Sequence, residues 1–277
     1  MNYIKEPDIK DIILNALKED IGSGDITTQA IITKDKVIKA QILAKDNFVV
    51  CGIGVVLSVF KLQDKDVKFT PCVKDGDFVK KGKTLAVITG RARSILAAER
   101  VALNFLSMLS GISSKTRQFV DAVSPYKIKI LDTRKTIPGL RLLEKYAVRI
   151  GGGFNHRFCL DDMLLVKDNH LKVIGGVDKL SGLSRKYKSE IEVGSIRELM
   201  FALKLNPDII MLDNMNTANM KKACRIKNKI SPKTKLEASG GISLKNIRKI
   251  ASCGIDMISV GDLTDSVKSV DISLEVS

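Results

Sequence analysis

The sequence predicts an α/β protein in two parts: a β-rich N-terminal segment, then a run of βα units that closes as a barrel. Three observations carry this. After Gly111, short strand-like runs alternate with amphipathic helical patterns, the signature of a parallel sheet. No Gly-x-Gly-x-x-Gly fingerprint accompanies the strands, which favours a closed barrel over an open dinucleotide-binding sheet. The first hundred residues lack the alternation and read as strands and turns between two helices.

The elements follow in order. Asp8 to Lys18 places Ile9, Ile12, Ile13, Leu14 and Leu17 at helical spacing, and Gly22-Ser23-Gly24-Asp25 ends the pattern as a turn. Strand-like runs come at Ile38–Leu43, Phe48–Val50 and Val67–Phe69. Phe78 to Ile88 reads as a hairpin and strand with Gly82 in the turn. Ser94 to Leu109 is a helix with Ile95, Leu96, Val101, Ala102, Phe105, Leu106 and Leu109 on one face, and Gly111 is expected to stop it. The barrel strands are Ile128–Leu131, Met163–Val166, Glu190–Val193, Ile209–Leu212, Leu236–Ala238 and Met257–Val260. Between them lie helical patterns at Leu140–Arg149, Ile196–Leu205, Thr217–Lys229 and Leu244–Ala251. The expected domains are residues 1–111 and 112–265, with the tail 266–277 packing back on the first.

Composition narrows the function. The 277 residues are 44% hydrophobic and 28% charged, ordinary for a globular protein with a core. No continuous apolar run reaches the roughly 18 residues of a membrane span, and Met1 to Asp20 lacks the apolar core of a signal peptide. The expectation is a cytoplasmic protein with no membrane partner. The five cysteines are far apart and form no Cys-x-x-Cys pair, which argues against structural zinc or a disulfide framework. The net charge is +15, yet aromatics are 5% and Trp is absent, so stacking platforms for nucleic acid are scarce. Lys221 to Lys235 carries seven cations and no acid, but it reads as a solvated helix face and a loop. Nucleic acid is therefore not the expected partner; the excess cation suits small polyanions.

The chemistry sits at the strand ends. In a βα barrel the active site lies at the C-terminal ends of the strands. Here those ends carry Asp132-Thr133-Arg134-Lys135, Lys167-Asp168-Asn169-His170, Glu192, Asp213-Asn214, Ser239-Gly240-Gly241 and Gly261-Asp262. Glu190 and Glu192 face the same side, because strand side chains alternate. Ser239-Gly240-Gly241 and Gly261 suit a backbone phosphate site helped by helix N-termini; the alternative is two ordinary turns. Glu192 and Asp213 suit Mg²⁺ shared with substrate phosphates; the alternative is pairing with Lys or Arg. Lys135 and Lys167 fit anion pairing better than Schiff-base chemistry, since they sit among other cations. Arg134 and Arg157 offer planar forks for carboxylates. Both histidines of the chain, His156 and His170, fall in this stretch.

These motifs resemble the quinolinate phosphoribosyltransferase family over nearly the full length. The residues that carry the resemblance are Ala16 to Thr27, Glu99 to Leu106, Asp132 to Arg141, Gly151 to Arg157, Lys167 to His170, Glu190 to Val193, Leu212 to Asn214 and Glu237 to Ile242. The resemblance implies a type II phosphoribosyltransferase fold: an N-terminal α/β sandwich and an irregular C-terminal βα barrel. It implies a homodimer or higher homo-oligomer and Mg²⁺ as cofactor. The implied reaction joins quinolinate and phosphoribosyl pyrophosphate (PRPP) to give nicotinate mononucleotide, CO₂ and pyrophosphate, in the making of NAD. By position it implies that Arg100 reaches quinolinate in trans, that Thr133, Arg134, His156 and Arg157 line the quinolinate pocket, and that Lys135 and Lys167 are shared between the anions. It places Glu192 and Asp213 on the ribose and Mg²⁺, with Lys135, Glu192 and Asp213 catalytic. It gives the 5′-phosphate to Ser239, Gly240, Gly241 and Gly261, and counts Val260 and Asp262 among the PRPP-binding residues. Ile150 stands where a Cys is expected, Gly194 replaces a more polar residue, and 171–189 is short for the family. The rivals are a related enzyme of molybdenum-linked metabolism acting on another base, a carrier-domain hairpin at Val73 to Gly82, and an RNA-binding protein.

Overall fold

A computed structural model of the protein describes residues 6–180 and 186–277; residues 181–185, inside the segment read as short, lie outside the described residues. The chain divides into two compact units, one of residues 1–117, 136–152 and 266–277, the other of 118–135 and 153–265. Residues 112–117 and 136–152 thus group with the first unit, not with the barrel segment that the sequence alone delimits.

The first unit opens with α1 (Glu6–Ile21) and α2 (Ile26–Ile31). Ile9, Ile13 and Leu17 are buried, as their spacing predicts. Asp25 caps α2 by accepting the Thr28 amide at 2.9 Å. Then come β1 (Val37–Ala44), β2 (Phe48–Val49), α3 (Ile53–Gln63), β3 (Lys68–Pro71), β4 (Phe78–Val79), β5 (Thr84–Arg91) and α4 (Ala92–Ala122). With the last strand of the chain, these make an antiparallel sheet and a small ribbon. In the ribbon β2 pairs with β4, while β5 pairs with β1 and β3. The expected Phe78–Ile88 hairpin is therefore two strands in two different sheets. The carrier-domain reading falls with it, because its lysine-bearing hairpin does not form.

α4 corrects a second expectation. It runs 31 residues, straight through Gly111. A Cβ there would lie 2.4 Å from the Lys268 carbonyl, so the glycine admits the C-terminal tail against the helix and is no stop signal. By length and composition α4 also passes the membrane-span test that the continuous apolar runs failed, but 61% of its apolar window is buried inside the protein, as in a core helix. Gly151 has a similar purpose: a Cβ would meet the Ser113 carbonyl and Thr116 Cβ, each at 2.5 Å.

The second unit holds a six-stranded parallel sheet. Its strands are β6 (Lys129–Leu131), β7 (Leu164–Val166), β8 (Ser189–Val193), β9 (Ile209–Asp213), β10 (Lys235–Ser239) and β11 (Met257–Ser259), in the spatial order β6-β11-β10-β9-β8-β7. The helices are α5 (Arg141–Ile150, grouped with the first unit), α6 (Asp168–Ile174), α7 (Ile196–Lys204), α8 (Thr217–Ile230), α9 (Ile247–Ala251) and α10 (Asp262–Asp265), and β12 (Ile272–Val276) pairs with β1. β6 and β7 do not pair directly. Phe154 forms a parallel bridge with Leu131 instead, and Arg157 reaches the Met163 carbonyl at 3.1 Å. This segment fills the seam and makes the barrel irregular.

The glycines allow a direct check. Gly111→Ala should lower stability by roughly 1–3 kcal/mol, the scale for forcing atoms into a packed contact. Gly54→Ala, exposed in α3 with open space around its Cβ, should raise stability by about 0.5–1 kcal/mol. Urea denaturation reads both. A Gly111→Ala protein at least as stable as the parent would contradict the tail contact.

Candidate active site

Six strand ends converge on one open cleft of the second unit. β6 is followed by Thr133, Arg134 and Lys135; the seam contributes His156 and Arg157; β7 contributes Leu165 and Lys167. Glu192 comes from β8, Asp213 and Asn214 from β9, Ser239 to Ser243 from β10, and Gly261, Asp262 and Asp265 from the end of β11. Apart from Arg100 and Val260, every residue that the family resemblance assigns to a substrate or to Mg²⁺ lines this cleft. Arg100 belongs to the first unit, exposed on α4. Val260 is buried and its amide donates to the Leu131 carbonyl at 3.0 Å, so it ties β11 to β6 and has no N–H left for a phosphate.

Asp132 organises the cationic side. It is fully buried, and its carboxylate accepts the His156 amide at 2.8 Å and the Asn155 side chain at 2.5 Å. That pins the seam beside β6 and brings Arg157 to Arg134. Burial lowers the Arg157 pKa, the Arg134 charge lowers it further, and Glu190 and Asp162 oppose the shift. Two guanidiniums so placed repel until an anion comes between them. Lys135 is held by its backbone: its amide donates to Thr133 Oγ1 at 3.0 Å and its carbonyl accepts from Thr264 Oγ1 at 2.6 Å. Its side chain crosses Gly261, where a Cβ would lie 3.1 Å from Lys135 Cδ. The smallness of residue 261 thus serves Lys135 as well as any phosphate.

The turn after β10 is shaped by Asn214. Gly240 and Gly241 have φ of 88° and 60°, in the left-handed region. Asn214, itself at φ 51°, donates from its amide N–H to the Ser239 carbonyl at 2.9 Å and from Nδ2 to Asp213 Oδ2 at 3.0 Å. A Cβ on Gly240 would fall 2.3 Å from Asn214 Oδ1. Gly240 is therefore needed first by Asn214, and through it by Asp213. The helices that follow, α9 and α10, have five and four residues. They are too short to lend the dipole assistance expected of helix N-termini, which leaves backbone amides and lysines for a phosphate.

On the acidic side, burial raises the Glu192 pKa. Lys167 opposes this, and the charges of Asp213 and Asp168 add to it. Hard oxygen donors that repel one another on neighbouring strands suit Mg²⁺ held partly through water and substrate phosphate. They would supply only two protein ligands, and among the described residues the one close trio of metal-ligating side chains lies elsewhere, at His156, Glu190 and Glu237. His170 does not line the cleft; its Nδ1 accepts the Lys167 amide at 3.0 Å and stabilises the start of α6.

Beneath the cleft are two residues that the sequence reading did not place in the site. Glu190 and Glu237 are fully buried. Glu190 Oε2 lies 2.9 Å from His156 Nε2 and Glu237 Oε1 lies 3.7 Å from it. The signal for Glu190 was its shared face with Glu192; the same alternation carries Glu237 below Ser239. Asn214, third of the missed residues, was visible only as the neighbour of Asp213.

The comparisons with known proteins agree with this geometry. The model of the quinolinate phosphoribosyl transferase C-terminal domain matches residues 112–275, and that of the N-terminal domain matches residues 25–110. The probable nicotinate-nucleotide pyrophosphorylase [carboxylating] of Bacillus subtilis is 39% identical over 283 residues, covering 100% of this chain and 95% of the relative. The nicotinate-nucleotide pyrophosphorylase [carboxylating] of Mycobacterium leprae is 40% identical, covering 96% of each. Among solved structures, NadC from Streptococcus pyogenes superposes with a TM-score of 0.92 at 40% identity, over 99% of this chain and 98% of that one.

Proposed function

The chain belongs to the quinolinate phosphoribosyltransferase family, and from that premise we propose how its cleft carries the reaction. The enzyme transfers the phosphoribosyl group of PRPP to quinolinate with decarboxylation, giving nicotinate mononucleotide, CO₂ and pyrophosphate. The observation that carries the reading is the division of one cleft into a cationic side, an acidic side and a glycine turn. The molybdenum-linked alternative is not favoured, because the curated relatives carry the pyridine-nucleotide name. An RNA-binding role has no matching feature in the cleft.

We assign the dianionic ring to Arg134, Arg157 and Thr133, with His156 as a wall. Lys135 and Lys167 stand between the ring and the pyrophosphate. Ser239, Gly240, Gly241 and Gly261 take the 5′-phosphate, with Asp262 at the same edge. Glu192 and Asp213 face the ribose and would hold Mg²⁺, which would supply charge neutralisation for the departing pyrophosphate. The ring nitrogen's lone pair forms the bond to C1′ as the C1′–O bond breaks and its electron pair leaves on pyrophosphate. Positive charge passes from the ribose to the ring. The adjacent C–carboxylate bond then breaks, its pair stays on the ring carbon beside the cationic nitrogen, CO₂ departs, and a solvent proton completes the C–H. No covalent bond to the protein is needed. Glu192 and Asp213 act on the first step, by lying against the ribose as it becomes oxocarbenium-like.

The assembly belongs to the same proposal. Arg100 is exposed in the first unit, away from the strands that build the cleft in sequence, and the family resemblance supplies it to a partner's cleft. The enzyme then works as a homodimer at least, in the cytoplasm.

Quinolinate-dependent release of pyrophosphate from PRPP tests the activity, and its absence would overturn it. Asp213→Asn keeps the hydrogen bond from Asn214 but removes the charge. It should lower kcat by about two orders of magnitude, the scale for one preorganised electrostatic partner, and leave quinolinate affinity nearly unchanged. Loss of quinolinate affinity at normal kcat would make Asp213 a pocket-orienting residue. Mixing inactive Arg100→Ala and Lys135→Ala chains should restore part of the activity, since a mixed dimer has one intact site. No recovery after proven subunit exchange would rule out Arg100 in trans.

A further inference from the structure

The seam between β6 and β7 carries His156 and Arg157 into the cleft with little support from the sheet. Among the described residues its pairing with a strand is a single bridge, Leu131 to Phe154. Arg157 also faces the like charge of Arg134, so its aim has to come from contacts that resist the repulsion. Its Nη1 donates to the Met163 carbonyl at 3.1 Å, and its amide donates to His156 Nδ1 at 2.8 Å. With Nδ1 accepting, the ring hydrogen sits on Nε2. That hydrogen is donated to Glu190 Oε2 at 2.9 Å. Both ring nitrogens of His156 are thus engaged inside the protein.

Glu190 is held far more firmly than the seam. It lies in β8, opposite Leu165 of β7 on one side and Ile209 of β9 on the other. It is fully buried. Its Oε1 has no hydrogen-bond partner among the described residues, so the contact its carboxyl serves is the His156 ring. For packing alone an apolar residue of similar size would do as well or better. A packing rule broken directly under a cleft points to a use in the site. Glu237 does not share the task, because its Oε1 lies 3.7 Å from His156 Nε2, beyond hydrogen-bond reach. The ring could meet it only by turning, which would take Nδ1 away from the Arg157 amide.

We propose that Glu190 is a positioning residue for quinolinate: through the His156 ring it fixes the Arg157 backbone, and with it the guanidinium that takes a ring carboxylate. This rests on the assignment of the cleft to quinolinate. Glu190 does not line the cleft and touches no substrate. It acts as a hydrogen-bond acceptor, so an uncharged acceptor of the same shape serves equally. Its effect falls on the quinolinate side, because the turn and glycine that take the 5′-phosphate belong to the ends of β10 and β11.

Two substitutions separate the hydrogen bond from the charge and the packing. Glu190→Gln keeps a carbonyl oxygen for the ring and should leave the quinolinate KM within about twofold of the parent. Glu190→Leu removes the acceptor and should raise the quinolinate KM about tenfold, the scale of leaving one buried hydrogen-bonding group unpaired. The PRPP KM should stay within about twofold in both. In a His156→Phe background, Glu190→Leu should cost quinolinate less than about twofold more, because the ring through which it acts is gone. Wild-type turnover of quinolinate is measured first in the same assay: failure there strikes the assignment of the cleft, whereas failure among the variants strikes the positioning role alone. A Gln variant as impaired as the Leu variant, a Leu variant with unchanged quinolinate KM or with both KM values raised alike, or a full further loss in the His156→Phe background would each overturn the proposal. So would a Leu variant that cannot fold, since Glu190 would then be there for stability. Nitrogen NMR of the imidazoles gives a reading independent of turnover. The chain has two histidines, so a His170→Gln variant assigns the His156 ring. Its hydrogen should be on Nε2 in the parent and in Glu190→Gln; a hydrogen on Nδ1 in the parent would overturn the proposal.

Discussion

Side chains along a β-strand alternate with a period of two, and six parallel strands impose that period on this protein's interior at once. Once β8, β9 and β10 are in register, Glu192 stands opposite Met211 and Asp213 opposite Ser239, so the polar strand ends come to the mouth side by side. A shift of one residue in any strand would send a buried aliphatic to the cleft and a charged group into the surrounding helices. The register is protected by what flanks it. Ile191, Ile210, Leu212, Leu236, Ala238 and Ile258, which point the other way, are completely buried. Apolar packing on one face of each strand thus aligns the chemistry on the other.

The cleft that results is electrostatically incomplete without its substrates. Burial and then the Arg134 charge lower the Arg157 pKa, and burial raises that of Glu192, with Asp213 adding to the rise. Like charges collected on opposite sides of one cleft cost stability in the free protein, and the cost is offset when anions reach the guanidiniums and a cation reaches the carboxylates. The supporting contacts are rigid where the charges need aim. Asp132 sets the seam, Asn214 holds Asp213 from a left-handed turn, and Lys135 lies across a glycine.

Much of this was legible in the sequence because it follows from local rules. The six barrel strands and four of the helices between them come from periodicity and length, though not α6, and the polar residues that end each strand mark the mouth. What sequence could not give depends on who approaches whom. Gly111 reads as a helix stop, but the Lys268 carbonyl decides its use. Phe78 to Ile88 reads as a hairpin and strand, but β2 takes Phe78–Val79 and β1 takes Thr84–Arg91. Gly240 reads as a phosphate glycine, yet Asn214 occupies the space its Cβ would need. Val260 has the right neighbours in sequence and the wrong hydrogen bond. Glu190 and Glu237 belong to recognisable motifs, but only their burial beside His156 separates them from the solvated or metal-bound acids that the same letters could mean.

The proposed reaction requires one cleft to sort two anions, the pyridine dicarboxylate to Arg134 and Arg157 and the 5′-phosphate to the Ser239–Gly241 turn and Gly261. A crystal structure with quinolinate and a non-reactive PRPP analogue bound together tests it most directly. Ring carboxylates are expected within hydrogen-bond distance of both guanidiniums, the 5′-phosphate on the backbone amides of the turn, and Glu192 and Asp213 facing the ribose. Quinolinate seated at the glycine turn, or the ribose turned away from the two carboxylates, would contradict it.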